Sequence, residues 1–335
     1  MGREILITPR TFRLANAEQA GKLEELGYKL IFNPYGRLLT EEEMTNLIGG
    51  VEGIIVGLDP LGIKVLESAP NLKVISKYGV GVDNIDMAEA SRRKIIVTNT
   101  PGTNSLAVAE LTMGLILNVA RHICCSDRKI REGQWGKYQG FELKGKSLGL
   151  IGSGQIGKEV ALLAKGFGMK IICYDLKPDQ EWARKVGATY LKFEQLLAAA
   201  DVISLHLPLG DDTYHLLSRE ELNIMKPTAI LINTARGGII DEEVLYLALK
   251  EGRLAGAALD VYEQEPPADS PLRSLDNVVM TSHMGAHTRE AIGAMGRLAV
   301  ENLIAGLAGR RPEFTVNVET SGLDYKVGGR GDRNA

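Results

Sequence analysis

Cysteine is scarce: the 335 residues include only Cys124, Cys125 and Cys173, and the first two are chain neighbours. An odd number of thiols, with one adjacent pair that cannot easily bridge, excludes a disulfide framework and predicts reduced thiols in a cytoplasmic setting. Charge of one sign is lacking as well, since 39 Lys and Arg face 42 Asp and Glu for a net charge of −3. No basic stripe or tail suits a phosphate backbone, so nucleic acid is not an expected partner. Long apolar runs are missing too: the most apolar segment, 105–120, is interrupted by Glu110, Thr112 and Asn118 and falls short of the roughly 20 apolar residues of a membrane span. It reads as a buried helix whose Met and Leu serve the core or a subunit contact. The opening MGREILITPR has neither the charged and apolar segments of a secretory signal nor a Ser or Thr suited to acylation at Gly2, so neither export nor a membrane anchor is expected. No Cys or His pair has ligand spacing, and no metal is expected.

What is present is alternation. The length exceeds the roughly 250 to 300 residues at which one core stops growing, which predicts two domains. Short apolar runs (EILIT, YKLIF, GIIVG, LKVIS, IIVTN) are separated by helical patterns at 17–26, 41–48, 63–68 and 86–93. After a polar stretch at 121–146 a second series follows: SLGLIG, KIICYD, ATYLKF, DVISLH, AILINTA, GAALDVY and NVVMTSH. Strands alternating with helices predict parallel sheets covered on both faces, hence two α/β lobes. Thr40 with Glu43 and Ser218 with Glu221 have the spacing of capping boxes. The Gly-rich, charged residues 319–335 predict a frayed tail.

The second lobe opens on LIGSGQIG, which places Gly152, Gly154 and Gly157 after a strand and at the start of a helix, with Asp175 ending the next strand. In that setting each glycine has a mechanical role, respectively a tight turn, close approach of backbone to a pyrophosphate, and helix against strand. The helix N-terminus offers amides to phosphate. A carboxylate at 175 accepts from ribose hydroxyls and repels a 2′-phosphate, so NAD is expected over NADP, although Lys177 lies nearby.

Three charged residues stand where later strands should end: Arg236 in NTARGG, Glu265 in DVYEQEPP and His283 in TSHMGAH, with Glu263 a close rival to Glu265. Ligands of open α/β sheets gather at the carboxyl ends of strands. Hydride transfer to or from a carbinol carbon needs a proton carrier that titrates near neutrality, a role suited to histidine. A glutamate beside the imidazole fixes its tautomer, and an arginine forks onto a carboxylate. In the first lobe SKYGVGVDNID follows a strand with glycines and no hydrophobic cargo, so it reads as a loop whose bare amides grip an anion.

These motifs, in this order from about Ile5 to Val318, resemble the D-isomer-specific 2-hydroxyacid dehydrogenases, especially the phosphoglycerate dehydrogenase branch in its short form without a regulatory domain. The resemblance implies a flavodoxin-like substrate domain of residues 1–103 plus 288–318, and an inserted Rossmann NAD-binding domain at 104–287. It implies Arg236 as substrate anchor, Glu265 as partner of the base and His283 as acid/base. Cofactor contacts beyond the glycines and Asp175 are implied at Gln155, Ile156, Pro208, Thr213, Thr234, Ala235, Asp260 and Val108, with Asp260 near the nicotinamide amide. For the substrate it implies the amides of Val80 and Gly81 and the side chains of Lys77 and Asn104. It also implies a homodimer built on the nucleotide domain, including 105–147, and closure of the two lobes about a hinge. The activity implied is NAD-dependent interconversion of a D-2-hydroxyacid and its 2-oxoacid. 3-Phosphoglycerate, the substrate of serine biosynthesis, is the expected one; glyoxylate or hydroxypyruvate is the alternative. An NAD-sensing corepressor is the competing reading from another class.

Some positions depart from the family pattern. Lys77 stands where an arginine is common in the phosphoglycerate branch, and VGLDPLG lacks a further arginine for a phosphate. His287 replaces a more usual serine and is expected at the mouth of the substrate pocket. His206 is expected to be a packing residue, and His122 and His215 surface or interface histidines.

Overall fold

The computed structural model describes residues 3–317, so the tail expected at 319–335 lies outside the described residues. The chain forms two compact units, one of the residues up to Asn104 together with those from His287 onward, the other Ser105–Ala286.

The first unit is a five-stranded sheet of β1 (Glu4–Ile7), β2 (Lys29–Phe32), β3 (Gly53–Val56), β4 (Val74–Lys77) and β5 (Ile96–Thr98) in the order β2-β1-β3-β4-β5. Every pairing is parallel. Ile5, Leu6, Ile54, Ile55 and Val56 are fully buried, as strands covered on both faces require. The capping box of Thr40 and Glu43 starts the helix Glu41–Ile48. A short helix at Arg10–Ala15 is not anticipated by the sequence pattern; six residues behind Pro9 are too few to show a helical period.

The long helix Arg289–Leu307 returns to this sheet and lies on β3 and β4. Two glycines let it approach. A Cβ on Gly53 would stand 2.8 Å from Leu303 Cδ1, and one on Gly306 would stand 2.8 Å from Val74 Cγ2. Ser76 Oγ donates to the Ala299 carbonyl at 2.8 Å, so a buried strand hydroxyl is satisfied by the helix that covers it.

The second unit holds seven strands: β6 (Ser147–Ile151), β7 (Lys170–Tyr174), β8 (Ala188–Tyr190), β9 (Val202–Leu205), β10 (Ile230–Asn233), β11 (Gly256–Leu259) and β12 (Val278–Met280). Their order is β12-β11-β10-β9-β6-β7-β8. The chain starts in the middle at β6, runs out to β8, then crosses back to β9 and runs to the other edge. The direction therefore reverses between β6 and β9, the point where open α/β sheets collect ligands. The helix Ser105–Arg121 covers one face beside Gln155–Gly166, and no single helix among the described residues is long and apolar enough to cross a membrane. The polar stretch expected at 121–146 contains a helix, Ile123–Arg131. Only Cys125 on it is buried and Arg131 pairs with Asp127 at 2.8 Å, so it is a largely solvent-facing, amphipathic helix whose polar composition hides it in a polar stretch.

Gly306→Ala sets two effects against each other. Ala is the better helix former by about 1 kcal/mol, but the new methyl meets the stiff side chain of Val74, and overpacking of this kind costs about 1 to 3 kcal/mol. A net loss of stability is expected in denaturant titration; a gain would show that helix and sheet part without cost.

Candidate active site

The turn after β6 is built on contacts that only glycine permits. Gly152 has φ +96, and a Cβ there would lie 2.4 Å from the His206 carbonyl oxygen; a Cβ on Gly157 would lie 2.3 Å from the Gly152 carbonyl. Gly154, by contrast, faces open space and is the N-cap of the 12-residue helix Gln155–Gly166. Gly154 and Gln155 are exposed there, Ile156 is half-buried and Gly157 is buried. Free amides at a helix start beside a Cβ-free surface fit a pyrophosphate. His206 belongs to this turn: its N–H donates to the Ile151 carbonyl at 2.8 Å and its Nε2 lies 2.9 Å from Ser204 Oγ. Burial pushes its imidazole down to about 3, so it is neutral in the folded protein.

Asp175 leaves the end of β7 and turns back onto the glycine turn. Its Oδ2 accepts from the Ser153 amide at 2.7 Å and from Ser153 Oγ at 2.9 Å, while Oδ1 accepts from the Lys177 amide at 2.9 Å. Burial works against its charge, but the amides of Lys177 and Ser153, the Ser153 hydroxyl and nearby Lys158 hold its carboxyl below the ordinary range. It is a charged acceptor of the kind that receives ribose hydroxyls.

At the opposite side of the sheet, the loops after β11 and β12 bring together Glu265 and His283, the expected acid/base pair. His283 Nδ1 lies 2.8 Å from Glu265 Oε2 and 3.0 Å from Oε1. A carboxylate only accepts, so Nδ1 carries the hydrogen and Nε2 is left as the working nitrogen. The rival Glu263 is engaged elsewhere, with Oε1 3.0 Å from His215 Nε2. His283 has φ +50, a left-handed conformation that costs a non-glycine residue energy and persists where neighbours impose it. The neighbour is Asp260. Its carbonyl accepts from the His283 amide at 2.8 Å. Its buried carboxylate accepts from Thr281 Oγ1 at 2.6 Å and from the amides of Met284 and Gly285, each at 2.9 Å. Asp260 thus fixes the turn that presents the imidazole.

Arg236 follows β10 and is half-buried, with Nη1 donating to the Ala235 carbonyl at 2.6 Å. Asn233 shapes this loop: its Oδ1 accepts from the Ala235 amide at 3.0 Å and its Nδ2 donates to the Arg236 carbonyl at 2.7 Å. Gly237 must be glycine, because a Cβ would lie 1.9 Å from the Tyr262 carbonyl oxygen. A reciprocal clasp holds the same two loops together. Glu242 accepts from the Glu263 amide at 2.7 Å, and Glu263 accepts from the Glu242 amide at 3.2 Å. Burial, together with the charges of Glu263 and Glu265, raises the Glu242 carboxyl, against the lowering hydrogen bond from Glu263. Glu265 completes the loop by accepting from the Tyr262 amide at 3.2 Å.

The remaining expected contacts fall at these loops or on the adjoining helix. Pro208 is exposed, and its carbonyl accepts from Thr213 Oγ1 at 2.8 Å. Thr234 is buried with its hydroxyl 2.9 Å from Thr112, whose own hydroxyl donates to the Val108 carbonyl; the Thr234 hydrogen therefore goes to Thr112. Val108 packs where a Cβ of Gly285 would be, 3.3 Å from its Cγ2. Asn233, Glu242, Ser153 and His215 were not singled out from sequence as parts of this site. The signal for Asn233 is an Asn at a strand end before a glycine-rich loop.

In the other unit, the loop after β4 has Gly79 at φ +145. The Thr100 hydroxyl clamps it, accepting from the Gly79 amide at 3.1 Å and donating to its carbonyl at 3.1 Å. Among the described residues the amides of Val80 and Gly81 donate to no protein acceptor. Asn104 has its Oδ1 buried without a hydrogen-bond partner among the described residues, and His287 is exposed. Lys77 is buried, with Nζ donating to the Gly57 carbonyl and, at 2.6 Å, to Asn84 Oδ1.

Known proteins resemble this chain in sequence and in fold. The family model for the D-isomer-specific 2-hydroxyacid dehydrogenase NAD binding domain matches residues 113–285. A glyoxylate reductase of Thermococcus litoralis is 48% identical over 268 residues, covering 77% of this chain and 81% of that relative. A D-3-phosphoglycerate dehydrogenase of Methanocaldococcus jannaschii is 45% identical over 284 residues, covering 84% of this chain and 54% of the relative, so the chain spans about half of that longer protein. The crystal structure of a glyoxylate reductase from Paecilomyes thermophila superposes with a TM-score of 0.84 at 29% identity, covering 95% of this chain and 99% of that one. The chain belongs to the D-isomer-specific 2-hydroxyacid dehydrogenases and is an NAD-dependent oxidoreductase of that family.

Proposed function

We propose that this enzyme reduces a small, unphosphorylated 2-oxoacid of the glyoxylate or hydroxypyruvate class with NADH, and runs the reverse oxidation of the D-2-hydroxyacid. The observation that carries the substrate class is Lys77, the one cation expected to meet a phosphate. Its ammonium already donates to the Gly57 carbonyl and to Asn84 Oδ1, which ties it to two adjoining loops. Glyoxylate reductases at 48% and 44% identity support the same reading. Oxidation of 3-phosphoglycerate is the second reading, supported by the 45% identical phosphoglycerate dehydrogenase.

In the mechanism we assign, the Arg236 guanidinium forks onto the substrate carboxylate and polarises the neighbouring carbonyl oxygen. Within the first unit, the amides of Val80 and Gly81, which donate to no protein acceptor among the described residues, are the candidates to hold an anion. Protonated His283 delivers the Nε2 hydrogen to the carbonyl oxygen as it becomes a hydroxyl, while Glu265 stays charged at Nδ1 and stabilises the imidazolium. Bound nicotinamide supplies the hydride. In the oxidative direction neutral His283 takes the hydroxyl proton. A homodimer through 105–147 belongs to the same reading; Trp135, Ile123 and Tyr138 are exposed in that segment.

A panel of 2-oxoacids assayed by NADH oxidation tests the substrate class. Glyoxylate or hydroxypyruvate should give the highest kcat/KM; a phosphorylated oxoacid that outruns both would reverse the assignment, and cofactor binding without turnover of any would favour a sensor.

His283→Ala should lower kcat by about two to four decades, the usual contribution of a positioned acid/base group, while NADH still binds. Turnover at the wild-type rate would remove the imidazole from the mechanism.

Asp175→Ala should shrink the preference for NAD over NADP, read as the ratio of kcat/KM values. A constant ratio would show that discrimination lies elsewhere.

A further inference from the structure

The carboxylate assigned above to the ribose does not stand alone. Behind it, Ser153 Oγ lies 2.9 Å from Asp175 Oδ2 and 2.7 Å from the Tyr190 hydroxyl, and the Asp179 amide donates to that hydroxyl at 3.1 Å. Valence fixes the direction of this chain. A carboxylate can only accept, so the single hydrogen of Ser153 goes to Asp175; Ser153 Oγ is then an acceptor, and the Tyr190 hydrogen must point at it. The Tyr190 oxygen in turn accepts from Asp179. Every hydrogen in the series runs toward Asp175.

We infer that Ser153 and Tyr190 are positioning residues for cofactor choice, a relay that holds Asp175 as an oriented acceptor and thereby enforces NAD over NADP. The inference rests on the ribose role of Asp175. Three consequences of the geometry support it. The two bonds from Ser153 saturate Oδ2, which leaves the remaining acceptor capacity on Oδ1, beside the exposed Lys177. Ser153 is buried, so no water competes freely for its hydroxyl. The residue that receives Tyr190 sits inside the glycine turn itself, so the relay ties β8 to the pyrophosphate loop as well as to the ribose acceptor. Asp179, which anchors the far end, is itself held as N-cap of Gln180–Val186 and by Lys158 at 2.6 Å.

The test compares kcat/KM for NADH and NADPH, with one oxoacid, in Tyr190→Phe, Ser153→Ala and Asp175→Ala. Tyr190→Phe removes one oxygen and keeps the ring, and Ser153 is then free to turn away from Asp175. The NAD to NADP ratio is expected to fall about tenfold, the effect of weakening one hydrogen bond to a charged group, with the loss appearing chiefly in KM for NADH. Ser153→Ala should lower the ratio at least as far, and adding Tyr190→Phe to it should change little, because both act through the same bond. A ratio in both single variants within twofold of wild type, with Asp175→Ala collapsing it, would overturn the relay and leave the ribose role of Asp175 standing. An unchanged ratio in all three would overturn both. Thermal melting alongside distinguishes a shifted ratio from a general loss of fold, which would lower both cofactors' kcat/KM together.

Discussion

Loops leaving neighbouring strands can touch backbone to backbone only where one of them carries no side chain, and the working edge of the second sheet is made of such contacts. Gly152 meets the His206 carbonyl, Gly157 meets the Gly152 carbonyl and Gly237 meets the Tyr262 carbonyl, each at a distance no Cβ could share. The first two bring the end of β6 against the end of β9 and seat a helix start on the turn. The third joins the loop of Arg236 to the loop of Glu265. Catalytic geometry tolerates displacements well under 1 Å before rates fall steeply, so these glycines matter less for freedom of the chain than for the proximity they enforce.

Contact alone does not hold loops in register, and here the fixing is done by carboxylates. Asp260 spends its side chain on Thr281 and on the amides of Met284 and Gly285, which holds His283 in its left-handed conformation. Glu242 and Glu263 exchange amide bonds, and Glu265 accepts from both Tyr262 and His283. Several negative groups at one edge repel each other, and the raised Glu242 carboxyl registers that cost alongside its burial. Each is offset by donors already in place. Asp260 and Asp175 each accept three hydrogen bonds and differ in exposure: Asp260 is buried inside its turn, whereas Asp175 is only half-buried and Glu265 faces the imidazole of His283.

Much of this was legible in the sequence, and the exceptions have physical causes. The strands of both sheets announce themselves as short runs rich in apolar residues, most plainly those such as β3, β4, β9 and β10 whose residues are all buried and have no polar side to hide them. The helix Ile123–Arg131 did not, since nine mostly polar residues that bury only Cys125 read as part of the polar stretch around them. Sequence also left Glu263 and Glu265 as rivals two positions apart. Their separation is decided by the fold, which turns Glu265 to His283 and Glu263 to His215. Nothing in local sequence marks Asp260 as the anchor of a turn more than 20 residues downstream, or Tyr190 as a donor to Ser153, because both bonds join distant segments brought together by strand order.

The engagement of a charged side chain also bears on the proposed substrate class. Lys77 is a lysine at a loop edge, and sequence alone offers it to an anion. In the fold its stem is buried and its ammonium joins Gly57 to Asn84, whose amide nitrogen donates in turn to the Asp59 carbonyl at 2.6 Å. Lys77 and Asn84 therefore brace the loop after β3 against the loop after β4. Were a phosphate to draw the ammonium away from these two half-buried acceptors, each one left unsatisfied would cost about 1 to 3 kcal/mol. On the proposed reading, an oxoacid with only a carboxylate asks nothing of that lysine, and the amides of Val80 and Gly81, which donate to no protein acceptor among the described residues, are the groups proposed to receive it. A charged side chain that serves as the beam between two loops is the physical ground of the proposed preference for an unphosphorylated oxoacid.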